Sequence, residues 1–456
     1  MSRRNAPEEP SPALPTTVIP ESEPTLRLRN APESPVTTST ATVLEDVTGP
    51  VSRKWIWLMV VAQFGVFVAF ITPLAISLSI RLQAVAPGHA EYLGYITGAG
   101  AGVVVLTGPF LGTMSDRTRT RFGRRRPFMI GGMVLGMVSL FMMATAPSAL
   151  LLGLGWVLAQ LGWGQTLSAL QIRTADRLPE QQRGRVAGLT GFATQIAPVL
   201  GVSIAGAFAG DALLLFFVPG ILGAVLVLFF VVFLPEPDSR RMVLPELRVA
   251  TVLRKLVFNP RRYPDFAWNW LGRFFFYFGL SLNTTFTAFF FAQRLGITVT
   301  EVAGVIAVLS LGGIVTTVVG ALGGGFLSDK LKRRRVFVLL SGILFAAGAV
   351  TMALSPSLPL LVTGSLISGV GIGMFSAVDQ ALLLDVLPER DTDAGRFMGI
   401  TGFATSVPQA VAPLIAPLFL VIGATGGEKN YTLLYLLAGV FTVIGGLLAL
   451  RVRSVR

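Results

Sequence analysis

From Arg53 onward the chain alternates long apolar runs with short polar links. Twelve runs stand out, at about 55–80, 92–114, 127–146, 149–175, 186–208, 212–234, 265–291, 301–327, 336–354, 358–385, 396–421 and 431–450. At 1.5 Å per residue each run, as a helix, is long enough to cross a hydrocarbon core of about 30 Å. The pattern predicts an all-α integral membrane protein with twelve transmembrane helices. Residues 1–52 are rich in Pro, Ser, Thr and Glu and show no periodicity, which predicts a disordered cytoplasmic tail. They hold no apolar core of the kind that makes a signal peptide.

The second half of the pattern repeats the first. The arginine triplet 124–126 with Phe128 returns as 333–335 with Phe337, a shift of 333 − 124 = 209 positions. The same shift carries Pro147-Ser148 onto Pro356-Ser357, Gln171 onto Gln380, Asp176 onto Asp385, and Leu178-Pro179-Glu180 onto Leu387-Pro388-Glu389. After two further residues, GRVAGLTGFAT at 184–194 matches GRFMGITGFAT at 395–405. An internal duplication of six spans predicts two pseudo-symmetric six-helix bundles, residues 53–234 and 265–456, with a solute site between them near mid-membrane. The link at 235–264 divides them. Within it, Pro245 to Phe258 sets Val249, Val252, Leu253, Leu256 and Val257 on one face and Arg248, Thr251 and Lys255 on another. That spacing predicts an amphipathic helix at the membrane surface.

Composition sharpens this picture. Only 13% of residues are charged and 52% are hydrophobic, about half the charge of a soluble domain. The net charge of +13 is a matter of topology rather than of nucleic-acid binding. Of 37 Lys and Arg, the links on one side hold Arg81, Arg294 and Lys429 alone. The links on the other side are dense in cations, which predicts both termini in the cytoplasm and a place in the cell membrane. With no cysteine and one histidine, His89, the chain offers no disulfide, thiolate or His-cluster metal site. It carries no phosphate-binding loop or nucleophile elbow, so neither an enzyme activity nor a cofactor is expected.

The densest charge is GTMSDRTRTRFGRRRP, from Gly112 to Pro127, answered by GFLSDKLKRRRVF from Gly325 to Phe337. Asp116-Arg117 followed by Gly123-Arg124-Arg125 resembles the loop motif of the major facilitator superfamily. The longer form here, with about four extra residues, resembles the sugar-symporter branches: the glycoside–pentoside–hexuronide cation symporters and the plant-type sucrose/proton symporters. The QALLLD segment at 380–385 resembles the end of the fourth helix of sucrose symporters, but glutamine stands where they carry arginine, which argues against sucrose itself. The resemblance covers residues 53–453. It implies transport by alternating access through a cavity lined by the first, fourth, seventh and tenth helices.

Charge within a bilayer is costly unless paired or hydrated, so each charged side chain needs an account. Asp116, Arg124, Arg125, Asp176 and Arg185 recur as Asp329, Arg333, Arg334, Asp385 and Arg396. They are expected to form ion pairs that latch the cytoplasmic side shut and break when it opens. Arg273 and Asp379 lie deepest in the spans, at matching depths of roughly 12 and 9 Å. They are the candidates for ion coupling, with Asp379 as the protonatable group. Gln63, Gln160, Trp163, Gln165, Gln195, Asn283, Thr284 and Gln409 lie at mid-span depth. Amides bond vicinal hydroxyls and an aromatic face covers a sugar ring, so this set suits a neutral polyol better than an anion. The expectation is a monomeric transporter with a small-molecule substrate, a proton and membrane lipid as partners, and no nucleic acid. The alternatives are a drug or metabolite exporter on the same fold, or a membrane sensor that binds solute without moving it.

Overall fold

The computed structural model describes residues 50–240, 257–389, 393–424 and 428–455. Most of the amino-terminal tail and of the amphipathic segment in the central link lies outside them. Among the described residues twelve helical segments follow one another: α1 (Arg53–Val85), α2 (Tyr92–Arg117), α3 (Arg126–Thr145), α4 (Ala149–Arg177), α5 (Glu180–Ala207), α6 (Ala212–Phe233), α7 (Pro264–Thr285, continued by Thr287–Leu295), α8 (Val299–Leu331), α9 (Arg334–Ala353), α10 (Leu358–Val386), α11 (Ala394–Val421) and α12 (Tyr431–Ala449). Among the described residues ten are long and apolar enough to cross a membrane, eleven with the bent pair of α7. The remaining one, α4, is less apolar and carries Gln160, Gln165, Gln171, Arg173 and Asp176. Helix starts follow local chemistry. Ser52, Ser148, Asp211 and Asn430 cap α1, α4, α6 and α12 through their side chains, and Thr298 with Glu301 forms a capping box on α8.

The duplication read from the sequence is present in the packing. In the first bundle α1 packs on α5 and α6, α4 on α2 and α3, and α3 on α6. Adding six to each number gives the contacts of the second bundle: α7 on α11 and α12, α10 on α8 and α9, and α9 on α12. The bundles meet mainly along two seams, α2 with α11 and α5 with α8, which the same operation exchanges.

Glycines allow the closest contacts. A Cβ on Gly223 of α6 would fall 2.3 Å from the carbonyl oxygen of Gly65 on α1, so these helices touch through backbone. Gly223→Val is expected to force α1 and α6 apart at a cost of about 1–3 kcal/mol, read as a lower Tm of the purified protein. Gly131→Ala, where a Cβ meets nothing within 4 Å, should leave Tm unchanged.

One helix widens at a proline and another bends without one. Pro73 opens a π-helical turn, Pro73–Ser77, in α1, the widening expected where a ring replaces an N–H. The bend of 50° in α7, at Phe286, has no proline. There Thr284, Thr285 and Thr287 turn their hydroxyls back onto the carbonyls of Leu280, Ser281 and Asn283, a pattern that bends helices.

Candidate functional site

Viewed along the seams, the bundles touch at one end and part at the other. Away from the arginine triplets, Gly94 and Gly98 of α2 lie against Pro413, Ala410 and Leu414 of α11, and Gly206 of α5 faces Ala303 of α8. Toward the triplets, Gly184, Gly188 and Gly191 of α5 and Gly395, Gly399 and Gly402 of α11 are exposed, with nothing within 4 Å of a built Cβ. A crevice therefore opens between the bundles on the arginine-rich side. Gln195 of α5 and Gln409 of α11 lie on the same exposed faces as these glycines, farther along their helices, and both are exposed.

The wall of the second bundle holds the charged pair. Arg273 Nε donates to Asp379 Oδ2 at 2.6 Å, and Asn269 Nδ2 donates to Asp379 Oδ1 at 3.0 Å. Arg273 Nη2 also donates to Gln380 Oε1 at 3.1 Å. Asn269 and Arg273 are four residues apart on α7 and share a face, which brings both to one carboxylate on α10. The Asp379 side chain is 2% exposed and that of Arg273 11%, so the pair is buried. The structure thus unites the two residues expected to work together. Asn269 and Gln380 join them; the i, i+4 spacing of Asn269 was the available signal.

The polar mid-span residues divide. Gln63, Gln160 and Gln165 are half-buried and, like exposed Gln195 and Gln409, make no hydrogen bond among the described residues. The amide nitrogen of Gln165 is unpaired at a buried position. Trp163 departs from expectation. It is fully buried, with its indole against Gly136 of α3, so it packs α3 on α4 and cannot face a sugar. Asn283 is buried at 8% exposure beside the α7 bend, its amide nitrogen unpaired like that of Gln165, and Thr284 is exposed but bonds the Leu280 carbonyl. An aromatic stack does occur nearby, Phe70 on Trp156 with ring centroids 5.8 Å apart.

The arginine-rich loops are built alike in both bundles. Arg125, 2% exposed, donates to Ser115 Oγ at 2.9 Å and pairs with Asp116 at 2.5 Å and Asp176 at 3.6 Å. Arg124 pairs with Asp176 at 2.7 Å. In the second bundle Arg334 pairs with Asp329 at 2.9 Å and with Asp385. The third arginine of each triplet caps a helix end, Arg126 at Val231 of α6 and Arg335 beyond α12 at Leu450 and Val452. These pairs lie within one bundle, and they are formed while the bundles stand apart on this side. In the present state they brace each bundle's loop. Arg396 bonds Asp393 and the Val257 carbonyl, while Arg185 and Arg333 form no ion pair among the described residues.

One contact was not anticipated. At the closed end Lys429 Nζ lies 2.9 Å from Glu91 Oε2, and His89 Nδ1 lies 2.9 Å from Glu91 Oε1. Among the described residues this is the one salt bridge that joins the two bundles. Arg81 and Arg294, the other cations of that side, bond the carbonyls of Ala146 and Ala353 at the ends of α3 and α9. Lys429 was the remaining cation of its side, and that was the signal.

Two pseudo-equivalent six-helix bundles meeting along two seams are the architecture of a membrane transporter. A sequence model of the Major Facilitator Superfamily matches residues 56–323 and 270–456, and the chain belongs to that family. It is similar to probable inositol transporter 2 of Arabidopsis thaliana, 33% identical over 108 residues, which is 24% of this chain and 18% of the relative. It is also similar to the arabinose-proton symporter of Bacillus subtilis, 36% identical over 84 residues, 18% of this chain and 17% of the relative. The matched stretches thus span under a fifth of these relatives' length. Among solved structures, nucleoside transporter NupG superposes with a TM-score of 0.68 at 13% identity, over 87% of this chain and 98% of that one.

Proposed function

We propose that this transporter moves a small neutral polyol, a sugar or glycoside, across the cell membrane by alternating access, coupled to protons through Asp379. The observation that carries the reading is the set of five glutamines at span depth, Gln63, Gln160, Gln165, Gln195 and Gln409, that bond no protein group among the described residues. An amide within a membrane protein normally finds a partner; a set without one is available to a hydroxylated solute. The relatives named for inositol and for arabinose with protons agree with that chemistry.

In this reading the arginine-rich side is cytoplasmic, as the positive-inside bias requires, and the present state is open inward. Solute released there leaves past Gln195 and Gln409. Protonation of Asp379 from outside loosens its hold on Arg273, freeing the guanidinium for a solute hydroxyl; deprotonation inside restores the pair. The chain works as a monomer, each bundle rocking on the α2–α11 and α5–α8 seams.

The test is counterflow in proteoliposomes of the purified chain with labelled inositol, arabinose, a glucoside and an apolar cation. Exchange of one of them, with net accumulation abolished by a protonophore, is the expected outcome. Binding without exchange indicates a sensor. Exchange of apolar cations alone indicates an exporter.

A further inference from the structure

At the arginine-rich end of the second bundle, the starts of α7 and α9 and the chain just after α12 enclose a cavity of about 690 Å³. Arg335, Arg451, Arg453, Asp265 and Trp268 line it. The charges there do not cancel. Both oxygens of Asp265 are taken by backbone N–H groups, Arg453 N and Ser454 N, each at 2.9 Å. The guanidinium of Arg335 turns to the carbonyls beyond α12, while that of Arg451 lies 4.9 Å from the centre of the Trp268 ring. Arg451 and Arg453 are exposed, and the charge of Arg453 acts on Asp265 without a salt bridge between the two side chains.

The first bundle shows what such a place accepts. Arg126 is the counterpart of Arg335 by the shift of 209, and there the chain after α6 supplies its own anion. The Glu236 carboxylate bonds the backbone N–H groups of Arg125 and Arg126, each at 3.0 Å. After α12 the corresponding chain brings arginines instead of a carboxylate. There Asp265 of α7 takes the backbone-bonding place of Glu236, and the three arginines around it leave the cavity with an excess of positive charge.

We infer that this cavity binds a phosphate group, supplied in the membrane by the headgroup of an anionic phospholipid. Guanidinium forks match phosphate oxygens, and an indole at the helix ends lies at headgroup depth. Basic pockets between helices on the cytoplasmic side hold anionic headgroups for this reason.

The experiment uses the full-length protein in mixed micelles with phosphatidylglycerol or phosphatidylcholine, with retained lipid read by native mass spectrometry. The wild type should retain phosphatidylglycerol over phosphatidylcholine by about thirtyfold, the attraction expected of two arginines, and Arg451→Gln/Arg453→Gln should bring that ratio close to one. Arg451→Lys/Arg453→Lys should keep most of it. Should the double variant fail to fold by circular dichroism, Arg453→Gln alone, whose side chain forms no ion pair, should still lower the ratio about fivefold. A parallel arm titrates inorganic phosphate. Phosphate binding lost in the variant, without lipid preference, keeps the phosphate site and assigns free phosphate as its source. Equal retention of both lipids by wild type, or equal preference and phosphate binding in wild type and folded variants, overturns the proposal.

Discussion

Asp379→Asn is expected to abolish accumulation of solute against its gradient while leaving exchange of labelled solute across the membrane. One elementary charge moving down about 100 mV supplies about 2.3 kcal/mol, enough to concentrate a solute about fiftyfold. If Asp379 carries the proton, the variant loses that factor and equilibrates solute to about onefold. The geometry makes two effects separable. An asparagine side chain offers one oxygen where the carboxylate offers two, so either Asn269 or Arg273 loses its acceptor. A guanidinium left unpaired at 11% exposure costs up to about 3–5 kcal/mol, softened here by its bond to Gln380. Asp379→Asn/Arg273→Gln removes the stranded charge and should recover thermal stability without recovering accumulation. Accumulation by Asp379→Asn equal to wild type would falsify the coupling role.

Much of this arrangement was legible before any coordinates. The duplication could be read because charged and helix-punctuating residues keep register: Arg125 and Arg334 do the same work 209 positions apart, each holding the aspartates that end its two neighbouring helices. The four residues added between Asp116 and Gly123 change nothing in that work, because they loop out and are held by Ser239 at Thr118 and Thr120. Arg273 and Asp379 could be paired by depth alone, since a buried charge must find its opposite and each lay deep enough to have few choices.

Side-chain direction was not legible in the same way. Trp163 and the glutamines of α4 sit within a turn of one another, and without knowing which face meets α3, either could line the crevice. Gly136 settles it: the absent side chain leaves a slot that the indole fills. The α7 bend was hidden because threonine is read as a helix residue like any other, whereas three hydroxyls bonding back on neighbouring turns act together. The loops' ion pairs were read as a latch because opposite charges at repeated positions invite it. In the present state each aspartate is met by an arginine of its own bundle.

That shifts the question of what holds one end closed to the opposite side, and Glu91→Lys is expected to answer it. Glu91 and Lys429 come from the ends of loops in different bundles, and their side chains are 16% and 22% exposed. Burial alone would raise the Glu91 pKa, but hydrogen bonds from Lys429 and His89 outweigh it and hold the carboxyl below its ordinary value. A lowered carboxylate pKa means the contribution is present above the ordinary value near 4.5 and is lost only as pH falls through the lowered one, so at neutral pH the pair is intact. A partly exposed bridge contributes about 1 kcal/mol, and reversing one charge replaces that attraction with a repulsion of similar size. The change of about 2 kcal/mol moves the balance between the two open states by roughly thirtyfold toward the one open on the Glu91 side. The chain has no cysteine, so a single Gly399→Cys in the crevice wall reports its accessibility to a membrane-impermeant maleimide without further substitution. Glu91→Lys should slow that labelling from the arginine-rich side several-fold, and Glu91→Lys/Lys429→Glu should restore it. Unchanged labelling in the single variant, or a double variant no better than the single, would show that the seams of α2–α11 and α5–α8 hold that end closed by packing alone.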